Sequence, residues 1–277
     1  MMIVDAQVHI WAAHTPERPW PADGHARTHR EIPLGAEELC REMDAAGVDR
    51  AVLVPPSWEG DYNDLALQAA ADHPGRFAVM GRLDLGDPSN AARLPDWRSQ
   101  PGMLGIRASF LMPAQRQWLA EQSIDWFWEG AEAAGVPLMI LPPDQLPAID
   151  RVVRKYPDLR VIIDHLAMTS SRRDAEAFAA VDDLLPLARH PNVAVKSTAL
   201  PCYTDEPYPF AGIRSHIERV YDAFGPARMF WGTDLSRLTC SYRQAITHFT
   251  EELPFLSESD KELIMGRGLC DWLGWSV

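Results

Sequence analysis

Three side chains suited to acid–base or ligand chemistry alternate near the start of the chain. They are Asp5, Gln7 and His9, within Ile-Val-Asp-Ala-Gln-Val-His-Ile-Trp. Two more, His165 and Asp234, stand at the ends of later apolar runs. An acid and two imidazoles brought together can activate water and polarise a carbonyl. They can also hold one divalent ion in an open three-ligand site. Alternate residues of a strand share a face, so Asp5, Gln7 and His9 are expected to point together into the interior. An unpaired polar group there costs roughly 1–3 kcal/mol, a cost tolerated when the groups pair or act. Asp5 is expected to brace the structure rather than react.

Short apolar runs recur along the chain, each followed by a turn and a stretch with helical periodicity. The strand-like runs cover residues 3–10, 50–55, 77–83, 103–109, 137–141, 160–166, 193–198 and 228–233. Helical patterns follow at 36–46, 62–73, 124–134, 144–156, 174–189, 211–224 and 241–252. Gly47 and Gly135 read as helix stops, and Asp144 reads as a cap. The link over 85–102 is weak, with room for one short helix. Strand–helix alternation implies parallel pairing. Eight such units predict a single α/β domain over 1–277, a distorted (β/α)8 TIM barrel. The pattern adds a long loop after strand one and a Trp-rich helical tail over 257–275. No G-x-G-x-x-G follows any strand, which counts against an open dinucleotide-binding sheet.

Barrel chemistry sits at the C-terminal ends of the strands. His9, Arg82, Arg107, His165, Lys196 and Asp234 all fall there. A guanidinium fork suits a carboxylate, so Arg82 and Arg107 are candidate anion-binding groups. Lys196 alternates with Ser197, and Lys196 is expected at the rim. Gln7, Trp11 and Tyr203 complete the candidate substrate-binding set. Asp164 precedes His165 and is expected to point away from it, towards the helices. The loop over 12–34, with Trp20, His14, His25 and His29, could form a lid. Its histidines read as surface residues.

The net charge is −13. That disfavours nucleic acid, which needs a basic patch, and anionic membrane surfaces. The N-terminus shows no signal-peptide pattern, and no apolar run approaches a membrane span. Cys40, Cys202, Cys240 and Cys270 are scattered. They read as reduced thiols of a cytoplasmic protein.

Residues 4–11 (VDAQVHIW), 105–107 (GIR), 163–167 (IDHLA) and 232–234 (GTD) resemble the amidohydrolase superfamily. Within it they resemble more closely the branch of amidohydrolase-related lactonases that includes 2-pyrone-4,6-dicarboxylate lactonase, L-fuconolactonase and 4-sulfomuconolactone hydrolase. The family pattern is D-x-H-x-H on strand one, a His after strand six and an Asp after strand eight. The resemblance therefore implies site roles for His9, His165 and Asp234. Gln7 stands where the first His of the pair normally stands, and Gln is a poor zinc ligand.

The resemblance implies hydrolysis of a small anionic or polyoxygenated lactone. Asp234 would be the general base, and His9 and His165 would polarise the carbonyl. Burial would have to raise the Asp234 pKa, or a metal would have to acidify the water. No metal is expected to be required; the alternative is one zinc ion held by His9, His165 and Asp234. Other readings are a metal-dependent decarboxylase or hydratase, a cyclic amide hydrolase, and a barrel that binds a small acid without catalysis. The partner is a small-molecule substrate, and a homo-oligomer is compatible with the family.

Overall fold

A computed structural model describes residues 1–24 and 28–276. Eight parallel strands follow one another around a sheet in chain order. They are β1 (Val4–Val8), β2 (Arg50–Leu53), β3 (Phe77–Gly81), β4 (Met103–Ser109), β5 (Leu138–Leu141), β6 (Val161–Ile163), β7 (Val193–Thr198) and β8 (Met229–Gly232). The outer layer holds α1 (Ala36–Ala46), α2 (Asp64–Asp72), α3 (Pro113–Glu121), α4 (Asp125–Ala133), α5 (Leu146–Lys155), α6 (Asp174–Phe178), α7 (Ala180–Leu184), α8 (Arg214–Phe224) and α9 (Tyr242–Thr250). The tail adds α10 (Glu258–Glu262) and α11 (Gly268–Leu273). This is a (β/α)8 barrel.

The helix α3 was not foreseen from its mixed sequence. The 85–102 link carries two 3-10 turns rather than one helix, at Pro88–Arg93 and Trp97–Ser99. The 174–189 stretch breaks into α6, α7 and a 3-10 turn that contains Pro186. Asp144 does not cap α5: its φ is 58°, the adjoining cap position is Gln145, and its carboxylate pairs with Arg172.

The barrel interior begins as a dry plug. Val4, Ala6, Val52, Met80, Met139 and Phe230 pack together inside, and Leu269, Cys270 and Leu273 of α11 close the N-terminal mouth. The tail thus seals the end opposite the chemistry. The four cysteines are free thiols. No helix among the described residues is long and apolar enough to cross a membrane.

Two register breaks decide what faces inward. The pairing of β1 with β2 shifts between Asp5 and Val8. An extra residue in one strand turns the following side chains to the other face. Val4 and Ala6 point inward, and Asp5 therefore points out. After the bulge Gln7 and His9 face the lumen while Val8 joins the outer core. The expectation that Asp5, Gln7 and His9 share a face fails here. The pairing of β3 with β4 shifts similarly between Val79 and Met80, opposite Met103 and Gly105. It turns Arg107 inward. A Cβ on Gly105 would stand 2.2 Å from the Pro137 carbonyl oxygen, so the bulge needs glycine.

Asp5 closes the barrel instead. Its Oδ1 accepts from the backbone N–H of Thr233 at 2.9 Å and of Gln7 at 3.1 Å. Its Oδ2 accepts from Tyr242 Oη at 2.8 Å and from Thr233 Oγ1. The seam is completed by Asp234 N–H donating to the Gln7 carbonyl at 3.0 Å. A Cβ on Gly232 would meet Asp5 Oδ1 at 2.8 Å, so the seam has no room for a side chain. Burial pushes the Asp5 carboxyl up to about 6, against the pull of these hydrogen bonds. Asp5→Ala leaves two buried N–H groups without acceptors. It is expected to cost about 2–4 kcal/mol, read as a lower urea midpoint with an unchanged slope.

Candidate active site

The site lies at the C-terminal ends of the strands, in a cavity of about 610 Å³. Its floor carries Gln7, His9, His165 and Asp234, and its walls include Trp58, Arg107, Tyr203 and Arg237. His165, Leu166 and Ala167 form a run of left-handed residues with φ of 50°, 52° and 61°. Asp234 is also left-handed, with φ of 52°. Such backbone costs roughly 1–2 kcal/mol per residue for an L side chain. It turns both functional groups inward where β6 and β8 end.

Gln7 is the hub. Its Oε1 accepts from Lys196 Nζ at 2.5 Å. Its Nε2 stands 3.3 Å from both His9 Nε2 and His165 Nε2. His9 Nδ1 is 2.5 Å from the Val54 carbonyl, which can only accept, so Nδ1 carries the hydrogen. His165 Nδ1 is 2.6 Å from Thr198 Oγ1. Asp234 faces both rings: Oδ1 lies 3.1 Å from His9 Nε2, and Oδ2 lies 3.7 Å from His165 Nε2. Oδ1 accepts no aligned hydrogen bond from any described residue.

Burial alone would push the Asp234 carboxyl up. His9, Arg237 and His165 beside it hold it well below the usual carboxylate range instead. The raised value expected from burial is therefore not found. Burial pushes His165 down to about 3, against the opposing charges of Asp234 and Asp164, so its ring is neutral.

Lys196 is not at the rim. It is wholly buried, with its ammonium 2.8 Å from Asp164 Oδ1 and 3.3 Å from Met139 Sδ. Asp164 does not face the helices either. It follows inward-facing Ile162 by two residues, and its Oδ2 accepts from Arg107 Nε at 3.2 Å. Burial opposes the Asp164 charge, yet Lys196, Arg107 and His165 hold its carboxyl low. Burial pushes the Lys196 ammonium down despite Asp164.

The other expected contacts divide. Arg107 and Tyr203 line the cavity. Trp11 does not. It is buried and packs edge-on against Trp58, with ring centroids 5.5 Å apart, and Trp58 takes the wall position. Arg82 turns to Asp61, 3.0 Å away, outside the cavity lining. His29 was expected on the surface, but it lines the cavity against Trp58 and bonds Ser236 Oγ at 2.7 Å. Burial pushes its ring down to about 4. His14 accepts from the Trp20 N–H within the loop, and His25 lies outside the described residues. Arg237, which no sequence pattern marks, also lines the cavity. It lies over the Tyr203 ring at 5.0 Å, with Nε 3.4 Å from Asp234 Oδ2. The one available signal was its place three residues after Asp234.

The profile of a family described as Amidohydrolase matches residues 4–267. An L-fucono-1,5-lactonase from Burkholderia ambifaria is 28% identical over 243 residues, covering 85% of this chain and 81% of that protein. An amidohydrolase from Burkholderia multivorans, solved with bound zinc, superposes with a TM-score of 0.80 at 22% identity, covering 99% of both chains. A probable 2-pyrone-4,6-dicarboxylic acid hydrolase from Acinetobacter baumannii, with citric acid bound, gives a TM-score of 0.76 at 16% identity, covering 99% of this chain and 100% of that one.

The donor set of this chain does not fit a resident zinc ion. The Gln7 amide nitrogen has no lone pair to give, and it faces the two Nε2 atoms that would ligate. No group of three His, Cys, Asp or Glu among the described residues has metal-site geometry.

The buried charges are mutually dependent. Asp164→Asn leaves the Lys196 ammonium without its carboxylate. It is expected to lose about 3–5 kcal/mol of stability in urea unfolding. Adding Lys196→Met to that variant should restore at least half of the loss.

Proposed function

Because the chain belongs to the amidohydrolase family, we propose that it hydrolyses a small lactone, by attack of a water held on Asp234. The observation that carries this is the Asp234 carboxylate. It is buried, ionised and left with an unbonded Oδ1 at the floor of a cavity. A buried acceptor without a donor is a place for water. The likeness to curated L-fucono-1,5-lactonases supports the choice of a cyclic ester.

The water oxygen adds to the lactone carbonyl, and its proton passes to Asp234. A carboxylate held this low is a weak base, so the proton has to move on. His9 Nε2, 3.1 Å from Oδ1, is the nearest lone pair. The Gln7 amide nitrogen stands 3.3 Å from both Nε2 atoms, between the imidazoles and any carbonyl they would polarise. The standing electrophile in this reading is Arg237, beside Asp234, which receives the charge of the tetrahedral oxyanion. His9 joins it as a polarising group once protonated, with His165 alongside. His9 then returns the proton to the ring oxygen as the carbon–oxygen bond breaks. The product is the open hydroxy acid.

Arg107, Arg173 and Arg237 line the cavity, and Asp234 is its one lining carboxylate among the described residues. That excess of cations in a chain of net charge −13 favours an anionic or polyoxygenated ring.

The test is proton release on a panel of furanone, pyrone and sugar lactones. Wild type should turn over at least one ring class. Asp234→Asn should lose about 10³-fold or more in kcat with KM nearly unchanged. Arg237→Met should lose about 10²–10³-fold in kcat. Full activity in Asp234→Asn, or no turnover of any lactone, contradicts the proposal.

A further inference from the structure

The mechanism leaves Lys196 without a part. It is a charged side chain with no exposure, sunk below the cavity. Among the described residues its ammonium contacts Asp164 Oδ1, Met139 Sδ and Gln7 Oε1. A primary amide has a donor end and an acceptor end of nearly equal shape. An ammonium can only donate, so its contact at 2.5 Å fixes the oxygen end of Gln7 towards Lys196. The nitrogen end then faces the rings, with one hydrogen for each Nε2 at 3.3 Å. Each ring's Nδ1 already has an oxygen partner on its far side.

We propose that Lys196 is a positioning residue that, by clamping the Gln7 oxygen, makes the amide a two-pronged donor seated between His9 and His165 where a bound cation would have to lie. Both imidazoles are thereby held as Nδ1–H tautomers with Nε2 lone pairs towards the centre. Two consequences follow. The lone pairs are ready to take a proton from Asp234, and they are shielded from metal by hydrogens rather than by distance. Asp164 and Arg107 serve the same end, because the carboxylate keeps the ammonium in place and the guanidinium keeps the carboxylate in place.

This rests on the lactone-hydrolysis reading only for its bearing on rate. The hydrogen positions can be read without substrate. The experiment is 15N NMR of histidine-labelled protein at neutral pH, with His9 and His165 assigned from His9→Asn and His165→Asn. In wild type both rings should give the Nδ1–H pattern. Lys196→Met should let the amide turn and bring up Nε2–H signals, while Lys196→Arg should keep the wild-type pattern. Should Lys196→Met not fold, Gln7→Glu carries the test. It matches the amide in shape but offers only acceptors to the rings, so at least one Nε2 should gain a hydrogen. A wild-type Nε2–H on either ring, or unchanged ring patterns in Gln7→Glu, overturns the proposal. Zinc alone is the second probe. Gln7→Glu should bind it at least about tenfold more tightly than wild type, and equal affinities contradict the shielding role.

Discussion

A single ammonium inside the barrel sets the arrangement around it. Burial works against the Lys196 charge and Asp164 opposes that, because moving an ion out of water costs several kcal/mol unless it is paired. Asp164 in turn is partnered by Arg107. Lys196 also donates to an uncharged oxygen on Gln7. Charge is therefore spent on orienting an amide, and the amide orients two imidazoles. Asp234, which the chemistry needs free, accepts no aligned hydrogen bond on Oδ1 from any described residue.

The barrel reaches this arrangement by departing from regular geometry in a few places. Bulges in β1 and β4 bring Gln7 and Arg107 to the inner face. Left-handed residues after β6 and β8 bring His165 and Asp234 inward. Asp5, which faces outward ahead of the first bulge, binds the seam between β8 and β1. The strain collects at the C-terminal end, while the opposite end is an ordinary apolar plug sealed by α11. Strained backbone of this kind persists where surrounding packing over-determines it.

The strands were legible because each is a short apolar run with turn residues at its ends. The α1 range matches its periodicity and its glycine stop without error. His9, His165 and Asp234 were legible as polar residues closing apolar strands, and they do converge. The inner partners were not. Alternation assigned Asp5 to the lumen because no residue in the sequence marks the bulge that follows it. Counting from His165 turns Asp164 outward, but the left-handed turn that starts at His165 breaks the alternation. Alternation with Ser197 late in β7 points Lys196 to the rim, but the side chain is wholly buried and its contacts with Asp164 and Gln7 offset the cost. Arg237 and Trp58 sit in loops without periodicity, so only their nearness to strand ends hinted at them.

Neutron diffraction from deuterium-exchanged crystals at neutral pH reads the hydrogens between Gln7, His9 and His165 directly. The account predicts two deuterons on Gln7 Nε2, one towards each ring, deuterons on Nδ1 of His9 and His165, and none on either Nε2. Scattering that places the Gln7 oxygen against the rings, or a deuteron on His9 Nε2 or His165 Nε2 in the resting protein, would contradict it.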